Sequence, residues 1–142
     1  MDRNRIHDDM KDTFKHNVKR VDIENYNACN RWCKTCPQVL GIRDNGLQIL
    51  ETRLYIKLIN ELKESEYKGT IAIGRYHEPL LLFNLTLERI ALAKQIVPAT
   101  NIIMNTNGDL LTKQMLLQLS MAGLDEIKIM RYQDSEYWIF LD

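Results

Sequence analysis

The chain has 142 residues, of which 45% are apolar, and its 19 Lys and Arg balance 19 Asp and Glu. That suits one domain with one modest core, and the zero net charge gives no pull toward nucleic acid or an anionic membrane. No apolar run approaches the roughly 20 residues of a membrane span, and the charged start, Met1 to Lys15, lacks the apolar core of a secretion signal, so a cytoplasmic protein is expected.

Residues 1–18 read as a charged, aperiodic lead-in, and residues 19–142 as the folded core. Arg20 to Asn27, with Val21 and Ile23 alternating with polar residues, predicts a first strand. Asp44-Asn45-Gly46 marks a turn. Leu47, Leu50, Leu54, Leu58 and Leu62 then recur in steps of three and four, one face of a helix. Gly69 breaks that pattern, and Thr70-Ile71-Ala72-Ile73 reads as a short buried strand. Phe83 to Val97 reads as a second helix stopped by Pro98, and Thr100 to Met104 as a third strand. Thr112 is placed to cap a third helix that Gly123 ends, and Glu126 to Met130 reads as a fourth strand. Asp134 or Ser135 is expected to start a fourth helix.

The order βαβαβαβ implies a parallel sheet with crossover helices. The expected fold is α/β, a partial (β/α) barrel of about four parallel strands and three helices. That is fewer strands than a full barrel of roughly 200–250 residues has, so the barrel is expected to be truncated. In such folds the chemistry sits at the C-terminal ends of the strands. Four polar segments fall there: the loop after the first strand, Arg75 to Pro79, Asn105 to Gly108, and Met130-Arg131.

The first of those loops holds all three cysteines, Cys29, Cys33 and Cys36, as C-x3-C-x2-C. An odd, tight cluster is not a disulfide framework and points to a metal or redox centre. Three thiolates are one short of a closed zinc site and of an ordinary cubane cluster, which leaves one metal corner free to bind something. A zinc-binding module, its fourth ligand supplied by a distant residue such as His77, is the competing reading of the same cysteines.

Four motifs in this order resemble the radical S-adenosylmethionine (radical SAM) superfamily, from about Val21 to Tyr132. C-x3-C-x2-C after a first strand resembles its cluster loop. Glu78-Pro79-Leu80-Leu81 resembles the end of its Gly-Gly-Glu-Pro motif, with Tyr76 and His77 where the two glycines stand. Asn105-Thr106-Asn107-Gly108-Asp109-Leu110-Leu111-Thr112 resembles its third-strand Thr-Asn-Gly stretch, and Ala122 to Ile127 its approach to the fourth strand. Cys36-Pro37 is similar to the branch that carries an auxiliary-cluster (SPASM) domain, which implies a peptide as substrate.

The resemblance implies that Cys29, Cys33 and Cys36 ligate a [4Fe-4S] cluster whose fourth iron takes S-adenosyl-L-methionine (SAM). It implies that the backbone of Thr35 meets the adenine and that Tyr76, His77 and Glu78 cradle the methionine end. Asn105 and Asn107, with Met130 where a ribose contact is usual, complete the expected pocket. The implied activity is reductive cleavage of SAM to a 5′-deoxyadenosyl radical that acts on a further substrate, with an electron donor such as flavodoxin or ferredoxin. An inactive iron–sulfur remnant is the alternative within the same resemblance.

Overall fold

A computed structural model of the chain describes residues 3–34, 36–37, 46–130 and 137–140. The apolar, β-branched runs become strands β1 (Arg20–Ile23), β2 (Thr70–Ile73), β3 (Asn101–Thr106) and β4 (Glu126–Ile129). They lie side by side in chain order and pair in parallel, and β5 (Tyr137–Phe140) adds an antiparallel edge to β4. Helices α2 (Thr52–Glu64), α3 (Phe83–Ile96) and α4 (Lys113–Met121) connect the parallel strands, and α1 (Arg3–Asn17) precedes them. The expected four-stranded parallel α/β unit is therefore present, with four helices rather than three.

Strand alternation decides which face the helices cover. Ile71 and Ile73, Ile102 and Met104, and Ile127 join one buried cluster with Tyr55, Ile59 and Leu62 of α2, Ile90 and Ala93 of α3, and Leu119 of α4. The register sets Ile71 beside Ile102 and Met104 between Ile73 and Ile127, so these side chains form continuous rows. Fully burying a side chain of this kind is worth about 1.5–3 kcal/mol, and these rows are what hold the helices to the sheet. The opposite face carries Asp22, Ala72 and Asn105, and there Glu126 pairs with Lys128 at 3.4 Å.

Local signals explain the ends of the elements. Thr112 accepts a hydrogen bond from Met115 N (3.2 Å) and caps α4, as expected. Gly123 follows the helix with φ +94°, while Leu124 N bonds to Leu119 O (3.0 Å) and closes the last turn. Pro98 lies two residues beyond the end of α3.

Three expectations are corrected. The charged lead-in is helical from Arg3 to Asn17; Phe14 and Val18 pack on the core, and the Phe14 and Tyr67 rings lie 5.6 Å apart. The helix expected from Leu47 begins at Thr52, because Gln48 and Leu50 instead bond to Asn27 and Asn25 beyond β1. Its buried residues are Tyr55, Ile59 and Leu62; of the leucine stripe Leu62 is buried, Leu50 and Leu58 pack partly on the core, and Leu47 and Leu54 are exposed. The helix expected after Asp134 is instead strand β5 over residues 137–140: an aromatic and β-branched run satisfies its backbone against the open edge of β4.

Candidate functional site

The first three parallel strands end in polar loops, and these are tied to one another by hydrogen bonds between side chains and backbone groups. The first tie is Glu24, the residue after β1. Its carboxylate accepts bonds from the backbone N–H of Arg75 (2.7 Å), Tyr76 (3.2 Å) and His77 (3.0 Å), and from His77 Nδ1 (2.6 Å). Pairing with a carboxylate puts the ring proton on Nδ1. Burial pushes the Glu24 carboxyl upward, but His77 and the Arg75 and Tyr76 N–H groups outweigh it, and the group lies below its ordinary 4.5. The loop after β2 is thus wrapped on one anion, like an anion nest.

Gly74 makes that loop's sharp exit from β2 feasible. Its φ is +80°, and a Cβ there would sit 2.4 Å from Pro79 Cγ and 2.7 Å from Asn105 O. Asn105 Nδ2 in turn donates to Gly74 O at 2.8 Å, joining the ends of β2 and β3. The backbone freedom supplied by glycine is therefore needed at Gly74, whereas Tyr76 and His77 are accommodated. His77 turns its ring inward against Tyr26, edge-on at 4.4 Å, and its side chain is buried.

Glu78 is the second tie. Its buried carboxylate accepts from Thr106 Oγ1 (2.6 Å), Asn107 N (2.8 Å) and Leu80 N (3.1 Å), and so fixes the turn after β3. Tyr26 donates its hydroxyl to Glu78 O (2.5 Å) and accepts from Leu82 N (3.0 Å). Burial, aided by the Glu78 charge, raises that hydroxyl to about 12.

The cysteine loop lies above these ties, with all three thiols free and partly buried. Arg31 N points at Cys29 Sγ (3.4 Å) and Asn107 Nδ2 reaches the same sulfur at 3.8 Å. Cys36 N bonds to Cys33 O at 2.9 Å and closes the turn between those two cysteines. N–H donors aimed at sulfur favour a thiolate ligand and tune a cluster bound through it.

An open cleft at the strand ends brings the predicted residues together. Cys29, Cys33 and Cys36 line it together with Tyr76, His77 and Glu78 and with Asn105, Asn107 and Met130, and Arg31, Gly74, Arg75 and Thr106 complete the lining. Thr35 and Arg131 lie outside the described residues. The thiols converge on one cleft but not on one point: among the described residues, no three His, Cys, Asp or Glu side chains are gathered to hold a single ion. All three thiols line the one cleft, with N–H donors directed at Cys29 Sγ, and thiols are the donor type that would hold a cluster through one iron each. His77, the fourth ligand named in the zinc alternative, lines the same cleft, with its Nδ1 held by Glu24 and its buried Nε2 without a hydrogen-bond partner among the described residues. Sequence reading gave no role to Glu24, Gly74 or Arg31, and named Thr106 and Asp109 only as part of the third-strand motif. For Glu24, the one available signal was a carboxylate two residues past Asp22, just where β1 ends.

The fold and rim together define a partial (β/α) barrel with a three-thiol cleft at its strand ends. No family model matches the chain. It is similar to the S-adenosyl-L-methionine-dependent 2-deoxy-scyllo-inosamine dehydrogenase of Niallia circulans, 28% identical over 117 residues, which cover 82% of this chain and 46% of that protein. It is also similar to the crystal structure of BtrN in complex with AdoMet and 2-DOIA, with a TM-score of 0.73 and 27% identity over 84% of this chain and 48% of that one. Selenomethionine BtrN in an open conformation gives a TM-score of 0.71 at 26% identity, over 82% of this chain and 51% of that one. The chain thus spans about half the length of the relatives it matches, and those relatives are an enzyme.

These findings overturn the SPASM-associated assignment: the relatives are named as a SAM-dependent 2-deoxy-scyllo-inosamine dehydrogenase, and nothing in them shows that branch. The peptide substrate expected from it goes with it. Cys36-Pro37 fixes the backbone beside one cysteine and carries no information about a distant auxiliary domain. Among the described residues, no helix is long and apolar enough to cross a membrane.

Proposed function

We propose that this chain is the cluster- and SAM-binding core of a cytoplasmic radical SAM enzyme. The observation that carries the reading is the single cleft at the strand ends, lined by all three cysteines, the Glu78 segment, Asn105, Asn107 and Met130. The BtrN likeness supports it, because that structure is a complex with AdoMet.

In this reading Cys29, Cys33 and Cys36 hold three irons of a [4Fe-4S] cluster. The bound cluster and SAM supply one-electron reductive cleavage and a 5′-deoxyadenosyl radical for hydrogen abstraction from substrate. The chain's own residues do the positioning. Glu24 fixes the backbone of residues 75–77, which faces the methionine end of SAM. Glu78 fixes the Asn107 turn, and Asn105, Asn107 and Met130 shape the nucleoside side of the cleft. Tyr26 and His77 keep water from beneath it. For the reaction that follows, the BtrN likeness supports a dehydrogenation as the class, with the electron supplied by a flavodoxin- or ferredoxin-type donor.

The test is anaerobic reconstitution of the chain and of its Cys29→Ala, Cys33→Ala and Cys36→Ala variants, with iron and sulfide counted and SAM cleavage followed by methionine release. Each substitution is expected to abolish both the cluster absorbance and the cleavage. A variant that still cleaves SAM, or a colourless wild-type protein carrying stoichiometric zinc, refutes the reading.

A further inference from the structure

The cysteine loop is stapled to the turn after β3 by a cluster of polar residues from both motifs. Arg31, between Cys29 and Cys33, grips Asp109 with two parallel bonds, Nε to Oδ2 at 2.7 Å and Nη2 to Oδ1. Asn30 Nδ2 donates to the same Asp109 Oδ2 at 3.0 Å, and Asn107 Nδ2 donates to Asn30 Oδ1 at 2.7 Å. Asp109 N closes the ring on Asn107 Oδ1 at 3.0 Å. Two segments 78 residues apart in sequence are thereby joined fork to fork, the geometry that makes an Arg–carboxylate pair directional.

The pair also places charge beside the thiols. Asp109 is the main influence holding the Arg31 guanidinium charged, with Cys33 and Cys29 adding to it. Removing either charge changes the net charge beside Cys29 and Cys33, with opposite signs in the two cases.

Resting on the proposed function, we infer that Arg31 and Asp109 are positioning residues of the cluster: they hold the Cys29–Cys33 loop in ligating shape and balance the charge around its sulfurs. Outer partners that orient metal ligands affect metal retention by roughly 10–100-fold when lost, and the fork between the two segments is such a partner. A positive charge near the cluster favours its reduced, more negative state. Arg31→Gln removes a positive charge beside the thiols and therefore lowers the reduction midpoint; Asp109→Asn removes a negative one and raises it.

The experiment reconstitutes wild type, Arg31→Gln, Asp109→Asn and Arg31→Lys. It measures iron release to a chelator, the reduction midpoint by titration followed by electron paramagnetic resonance, and folding by circular dichroism. Release is expected to quicken roughly 10–100-fold in the first two variants, with their midpoints displaced in opposite directions and their melting curves near that of wild type. Arg31→Lys keeps the charge but not the fork, so its midpoint stays near wild type while its release quickens. Unchanged release in Arg31→Gln overturns the inference. Faster release without opposed midpoint shifts also overturns it, since that is a merely structural role. A wild-type chain that takes up no iron removes the functional reading, and the inference with it.

Discussion

Replacing Glu78 by glutamine tests the account of the rim at its most buried point. The carboxylate accepts from Thr106 Oγ1, Asn107 N and Leu80 N, and almost none of it is exposed. Glutamine has the same shape but only one acceptor oxygen. In either amide orientation one backbone N–H, that of Leu80 or of Asn107, faces the new NH2 donor against donor. The loss is one charge-assisted bond plus one buried donor without a partner, about 2–4 kcal/mol. For a chain of this size that lowers Tm by roughly 8–15 °C. The assay is reversible thermal unfolding of wild type, Glu78→Gln and Glu78→Asp, read by circular dichroism. A change below about 3 °C in Glu78→Gln refutes the claim that this carboxylate fixes the turn after β3. SAM affinity should weaken in parallel, because Asn107 is placed by the same bonds.

Gly74→Ala forces a Cβ into the left-handed region and against Pro79 and Asn105 O, a loss of about 2–4 kcal/mol from backbone and overpacking together; equilibrium denaturation measures it, and a neutral result contradicts the tight exit from β2. Glu24 supplies the pH dependence. Its folded pKa is below the ordinary 4.5, so its stabilising contribution is fully present above that value and is lost as pH falls through the lower folded one. The Tm difference between wild type and Glu24→Gln should therefore be constant near neutrality and shrink below pH 4.5; a difference that grows in acid has the wrong sign for this account.

What was legible in the sequence was whatever is contiguous. The cysteine spacing, the β2 run Thr70 to Ile73 and the Thr112 cap each lie within one short window, and each stands where the residues placed it. The order of the βα units then put the four polar loops on one rim without further information. Ties between segments were not legible. Glu24 meets residues 75–77 about fifty positions away, and Arg31 meets Asp109 across 78. Nothing in a single sequence couples such pairs. Two misreadings were of another kind, since the signal was present but weighed wrongly. Met10, Phe14 and Val18 recur every four residues inside the charged lead-in, which is helical spacing. Tyr137 to Phe140 is rich in aromatic and β-branched residues, which favours the strand it forms. The leucine stripe matched the buried face of α2 only in part because Tyr55, Ile59 and Leu62 make an equally good helical face, and only the sheet decides between them.

The central claim is that three thiolates at the strand ends leave an iron corner open to SAM. Electron paramagnetic resonance of the anaerobically reconstituted, dithionite-reduced chain, recorded with and without SAM, tests it most directly. The account predicts a reduced [4Fe-4S] signal whose g-values shift when SAM is added. A reduced cluster signal indifferent to SAM, or no cluster signal from a chain that has bound zinc instead, would contradict it.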